Sequence, residues 1–434
     1  MKRLISVFIS LAILASSAAH AGTGIQEAYE RALKNDSILQ SARHYQKAAE
    51  AVRDQTRAGL LPSVTGQYIA SKYDTDRYDK YDTRDLSINL VQPVFDMGKY
   101  LQHGQSRYTL ESSNAKLKSA ESNLIVRVVT AYINVLYAKD KVELMKKKQD
   151  GAKEQLVQAQ KMFSAGLVAV TSIHEAQANL DTVGYDIVNA ENEYLNAMVD
   201  LESITGKIDG VKCLAREFGY GVHDIGTLDE WIATATANSS DVEYYRAQSK
   251  YADDTVRIIR SQHLPTVNLI LNYRKSDQVS NIKSTETTYK SIAAQLSVPI
   301  FNGGYTSARV QENRERFYQS VSDMNSALND VKKKVAESYT ALLGSKAKIA
   351  ALERTAASNS LAYESNKKSM TAGVVTLVDV INAQNNLFDS LSRLLQAKYE
   401  YFTGYTTLKY HAGVLKPSDV GFLESIINSE CKVN

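Results

Sequence analysis

Gln92-Pro93-Val94-Phe95-Asp96-Met97-Gly98 and Val298-Pro299-Ile300-Phe301-Asn302-Gly303-Gly304 are two versions of one segment. In each, an apolar stretch meets a proline, then a phenylalanine, a short polar side chain and glycine. Proline lacks a backbone donor and disfavours helix in the residue before it, so each copy reads as the end of a strand running into the start of a helix. Matches extend outward from both copies at an offset of 203 to 207 residues. Upstream, Ile25-Gln26-Glu27 aligns with Leu228-Asp229-Glu230, and Leu61-Pro62-Ser63-Val64 with Leu264-Pro265-Thr266-Val267. Downstream, Ala165-Gly166-Leu167-Val168 aligns with Ala372-Gly373-Val374-Val375, and Ala176-Gln177 with Ala383-Gln384. Matches kept in this order mark two tandem repeats, 22–210 and 228–413, joined by 211–227 and followed by a tail over 414–434.

Four of the five prolines, Pro62, Pro93, Pro265 and Pro299, partition the halves, and the territories between Pro93 and Pro265 and between Pro299 and Pro417 contain none. There the apolar period is helical. Val128, Ala131, Val135, Ala138, Val142, Met145, Gln149, Ala152, Leu156, Ala159 and Phe163 recur in steps of three and four, and their counterparts 207 residues on run from Val335 to Met370. A seven-residue repeat of this kind is a left-handed coiled-coil seam. The pattern predicts long helices over about 99–164, 171–205, 303–371 and 377–412. At ~1.5 Å per residue the first would run about 100 Å, longer than any compact domain, so a rod or tube is expected. Gly166 and Gly373 stop the long helices, since glycine accepts positive φ without cost. Segments 24–60 and 227–262 supply two further helices.

Between the paired prolines the period changes to two. Leu86, Ile88 and Leu90 alternate with Ser87 and Asn89, and Val267, Leu269, Leu271 and Tyr273 alternate with Asn268 and Asn272. Strands are predicted at about 63–73, 83–92, 266–274 and 289–298, with polar loops over 74–82 and 275–288. A membrane-spanning barrel strand needs about 9–11 residues. Four strands cannot close such a barrel, because the smallest use about 8, so a pore requires a dimer, trimer or tetramer.

The 434 residues are 44% apolar and 23% charged, with formal net charge +3. Acidic and basic residues are mixed along the chain, which gives no nucleic-acid footprint. Lys2 and Arg3, the apolar run Leu4 to Leu14 and Ala19-His20-Ala21 read as a cleaved secretory signal over 1–21. Without it 49 basic residues face 48 acidic ones. Export would put Cys213 and Cys431 in an oxidising compartment, making them candidates for a disulfide. The histidines His44, His103, His174, His223, His263 and His411 are scattered, and Gly206-Lys207 lacks the rest of a phosphate loop. No metal site, cofactor or catalytic activity is expected.

The twofold order of helix, proline-bounded strand hairpin, Phe-x-x-Gly, long helix, Ala-Gly turn and Ala-Gln helix resembles the TolC family of outer-membrane factors. The resemblance covers about 23–415 and is most specific in the two opening segments and in Ala372-Gly373-Val374-Val375-Thr376-Leu377-Val378-Asp379-Val380-Ile381-Asn382-Ala383-Gln384. It implies an α+β fold in which a long α-helical coiled-coil barrel continues into a transmembrane β-barrel, as a homotrimer with 12 strands. It implies an outer-membrane exit duct for drugs or proteins, spanning into the periplasm. The implied partners are a periplasmic adaptor (membrane fusion) protein, an inner-membrane RND, ABC or MFS transporter, and outer-membrane lipid. The turns at Ala165, Gly166, Ala372 and Gly373 would then form the periplasmic tip and meet the adaptor. Asp379 matches the family's acidic gate position. Asn382 stands where many relatives carry a second Asp, Val375 where a salt-bridged gate carries a basic residue, and Ser172 is the first-half equivalent of Asp379. These departures imply a gate held by Asp379, uncharged hydrogen bonds and apolar packing around Val168, Val170 and Val375. The competing reading is a periplasmic coiled-coil adaptor or surface structural protein.

Overall fold

The structure, a computed structural model, describes residues 22–76, 78–212, 225–280 and 284–426. The predicted secretory signal, Cys213 and Cys431 lie outside the described residues. The twofold pattern is plain in the order of elements. The first half runs α1 (Ile25–Asn35), α2 (Ser37–Ala58), β1 (Ser63–Thr75), β2 (Tyr78–Phe95), α3 (Met97–Ser164) and α4 (Val170–Thr205). The second runs α5 (Leu228–Asn238), α6 (Ser240–Ser261), β3 (Thr266–Ser280), β4 (Ser284–Ser297), α7 (Tyr305–Thr371) and α8 (Leu377–His411), and α9 (Pro417–Ile426) follows. The described residues form two compact units, one within 22–39, 120–239 and 331–426, the other within 40–119 and 240–330.

The second unit carries one antiparallel sheet in the order β1-β2-β3-β4, with the β2–β3 pairing joining the halves of the chain. Its register stacks Val64, Leu90, Leu271 and Ile292 in one cross-strand row and Thr65, Asn89, Asn272 and Ser291 in the next. Successive side chains point to opposite faces, so one face is apolar and the other polar. Arg274 and Asp85 pair across the polar face at 3.0 Å. The strands are longer than the sequence predicts: the expected polar loops 74–82 and 275–288 are mostly paired strand. Polar side chains do not prevent ladder formation, because the backbone makes the bonds, and here the side chains add to them. Tyr73 stacks on Tyr81 at 4.9 Å, and Lys80–Asp74 and Lys275–Glu286 pair at 2.6 and 2.7 Å.

Among the described residues β1 and β4 each have a single neighbouring strand. Hence Pro93 and Phe95 are paired with β3, whereas their counterparts Pro299 and Phe301 lie beyond the end of β4, and Ile300 and Phe301 are 94% and 88% exposed. In the same unit the Gln105 amide of α3 donates to the Tyr251 carbonyl and Thr255 hydroxyl of α6, at 2.8 and 2.7 Å. Lys116 sits over the rings of Tyr45 and Tyr244, a cation–π bridge from α3 to α2 and α6.

In the first unit the predicted seam is the core. Val128, Val135, Val142, Ala152 and Ala159 of α3 are buried, as are Val335, Leu342, Ile349, Ala356 and Met370 of α7. Phe163, the counterpart of Met370, is exposed where α3 runs out. Two helix breaks escaped the sequence reading: 24–60 divides at Asp36 and 227–262 at Ser239. Asp36 is extended, accepts the Leu39 amide at 2.7 Å and receives both terminal nitrogens of Arg127 at 2.7 and 2.9 Å. The buried Tyr132 hydroxyl donates to the Thr23 carbonyl and accepts from the Lys212 amide, clamping a short parallel bridge between Thr23 and Val211. Within the expected tail, α9 packs on α1, and Lys409 holds Asp419 at 2.7 Å.

Candidate functional site

The turns after α3 and α7 share one geometry and differ in chemistry. At the end of α3 the Gly166 amide donates to the Phe163 carbonyl and the Leu167 amide to Met162, with Gly166 at φ +72°. At the end of α7 the Gly373 and Val374 amides donate to Met370 and Ser369, with Gly373 at φ +73°. Both are glycine-terminated helix ends with their orphan carbonyls satisfied. Ala165, Gly166, Ala372 and Gly373 are all exposed.

The helices that leave these turns begin differently. α8 opens on a capping box: the Thr376 hydroxyl accepts the Asp379 amide at 3.2 Å, and the Asp379 carboxylate accepts the Thr376 amide at 2.9 Å and its hydroxyl at 2.6 Å. The Thr376 hydroxyl, then its amide, holds the exposed Asp379 carboxyl below its ordinary range, so it is anionic at neutral pH. α4 starts at Ala169 with no side-chain cap. Ser172, the counterpart of Asp379, is half-buried, and its amide donates to the Ala169 carbonyl at 3.1 Å.

A pocket of about 320 Å³ lies between the turns, lined by Leu167, Val168, Ala169, Ser172, Gly373, Val375 and Thr376 over a floor of Ala159, Met162, Met370 and Leu377. Beneath it Ala159, Ala176, Met370, Leu377, Val380 and Ile381 form a buried cluster against which Val375 packs. The structure therefore brings Ser172, Val168 and Val375 to one pocket. Asp379 and Asn382 are exposed and outside it, and Val170 is 47% exposed. Sequence reasoning missed Gln155 and Gln384, which are buried and bonded to each other. The sequence carried no specific signal for them, since Gly151 is one mid-helix glycine among others, with Gly104, Gly184 and Gly344.

A profile of the family described as outer membrane efflux protein matches residues 28–207 and 231–414. The chain belongs to this family. It is 26% identical to the outer membrane protein TolC of Vibrio cholerae over 97% of each chain. To the alkaline protease secretion protein AprF of Pseudomonas aeruginosa it is 28% identical, covering 92% of this chain and 86% of that one. Its fold is that of CusC, whose crystal structure superposes with a TM-score of 0.79 at 16% identity, covering 90% and 92% of the two chains. The α+β channel fold expected from the resemblance is thus the one observed, and the two complete repeats set aside a one-hairpin adaptor. Among the described residues no helix is long and apolar enough to cross a membrane.

Proposed function

We propose that this chain is the exit duct of a tripartite efflux or type I secretion system, passively conducting drugs or proteins from an inner-membrane transporter to the exterior. The observation that carries the reading is the sheet, with one apolar face, one polar face and an unpaired strand at each edge. Backbone groups in lipid must all be bonded, so such a sheet spans a membrane only as part of a closed barrel. Three copies supply twelve strands, enough for a barrel with a polar lumen and an apolar band towards outer-membrane lipid. In this reading residues 1–21 direct export and are removed. A periplasmic adaptor seats at the turns Ala165-Gly166 and Ala372-Gly373, where exposed Leu167 and Val374 flank the pocket. The transporter behind it is of RND, ABC or MFS type. Three Asp379 carboxylates ring the entrance, and Ser172, Val375 and Asn382 complete the gate without further charge. The conduit does no bond chemistry. The test is expression of the full chain followed by membrane fractionation, gel analysis and planar-bilayer recording. A heat-sensitive oligomer in the outer membrane that conducts ions is expected; a monomer in the soluble periplasmic fraction overturns the reading.

A further inference from the structure

Mid-helix glycine costs about 1 kcal/mol relative to alanine, so it needs a local reason. A Cβ added at Gly104, Gly184 or Gly344 would meet open space. Gly151 of α3 differs: a Cβ there would overlap the Gln384 amide nitrogen and lie 3.5 Å from the Tyr363 hydroxyl. Gln384 of α8 is fully buried and uses that notch to donate to the Lys148 carbonyl of α3 at 3.1 Å. Its own carbonyl accepts from the Gln155 amide of α3 at 3.1 Å, and the Gln155 carbonyl receives Asn179 of α4 at 3.4 Å. The Tyr363 hydroxyl of α7 also bonds Gln155. One polar node therefore ties together α3, α4, α7 and α8, and it lies little more than a helical turn beyond Asp379.

Among the described residues the duplicate position has no such node. Gln177, the first-half counterpart of Gln384, is exposed, and among the described residues it bonds along its own helix to Asp181 at 2.8 Å. The counterpart of Gly151 is Ser358, which is exposed, and that of Gln155 is Ala362. The asymmetry sits on the helix that carries Asp379 and Asn382.

We infer that the Gln384–Gly151 notch is a latch that positions the first turns of α8, and with them Asp379 and Asn382, in the narrow state of the channel. The inference rests on the duct reading above and assigns to it a positioning residue outside the pocket. A buried amide with no bonds is costly, so α8 cannot leave α3 without either rehydrating Gln384 or breaking its bonds to Lys148 and Gln155. Conversely, Gly151→Ala expels the Gln384 amide while improving helix propensity, which separates release of the latch from general destabilisation.

The experiment compares wild type with Gln384→Leu, Gly151→Ala and the double variant, with Gln177→Leu and Ser358→Ala as controls, all as full-length protein. The first readout is single-channel conductance in planar bilayers. The second is amide hydrogen exchange over 377–390, which requires no conduction. Gln384→Leu and Gly151→Ala are expected to raise conductance and to speed exchange roughly tenfold, equivalent to about 1.4 kcal/mol, with the controls unchanged. The double variant is expected to match Gln384→Leu, since both changes release one latch. Wild-type conductance and exchange in Gly151→Ala, or effects that sum in the double variant, overturn the inference. If Gln384→Leu fails to assemble, Gly151→Ala decides alone. A wild type that conducts nothing refutes the duct reading instead, and the exchange comparison still decides the latch.

Discussion

Replacing Asp36 tests how the first repeat is held together. Its carboxylate caps α2 through the Leu39 amide and takes two charge-assisted bonds from Arg127, with its side chain 5% exposed and that of Arg127 24% exposed. Losing a cap costs about 1 kcal/mol, and removing one member of a largely buried pair costs about 3–5 kcal/mol because the other is stranded. Arg127 keeps some water and a bond to Asn123, so the lower end applies: about 3 kcal/mol for Asp36→Ala. The assay is denaturant unfolding of the detergent-solubilised protein, run as a cycle with Arg127→Met and the double variant. A coupling energy of about 2 kcal/mol is expected; additivity within about 0.5 kcal/mol would refute the pairing as a source of stability. The pH dependence has a defined sign. Arg127 holds the folded Asp36 carboxyl below its ordinary 3.8. Its contribution is therefore complete at neutral pH, remains so down to about pH 4, and is lost as pH falls through the lowered value. The gap between wild type and Asp36→Ala should narrow only below about pH 4.

Other consequences are as direct. Asp379→Asn keeps a cap acceptor for Thr376 and removes the charge; in bilayers it should lose cation selectivity, and unchanged ion preference would count against a carboxylate ring. Gly413 is at φ +70°, and a Cβ there would press on the Asn238 carbonyl oxygen at 2.5 Å. Gly413→Ala should cost more than about 2 kcal/mol in unfolding, whereas Gly104→Ala, in open space, should stabilise by up to about 1 kcal/mol. On the sheet, Leu271→Arg places charge on the apolar face and should cost about 2–4 kcal/mol of folding into lipid, while the adjacent Asn272→Arg on the polar face should insert normally. Comparable insertion of both would refute the assignment of faces.

The sequence by itself determined the twofold repeat, the element order, the helical seams and the alternation of the strands. These follow from local periods of seven and two residues and from proline and glycine at the boundaries, all of which a linear reading exposes. Tertiary structure decided what depends on a partner distant along the chain. The break at Asp36 is set with an arginine 91 residues away. The polar ends of the hairpins become strand because a neighbouring backbone is there to bond them, and the segment after β4 stays outside the ladder because none is. The sharpest case is the repeated Ala-Gln pair. Gln177 lies on the surface and Gln384 is fully buried, although the two motifs read alike. What distinguishes Gln384 is its neighbour on a different helix, Gly151, where a Cβ would overlap its amide. Space beside a side chain is a property of its neighbours, and only the folded chain specifies them.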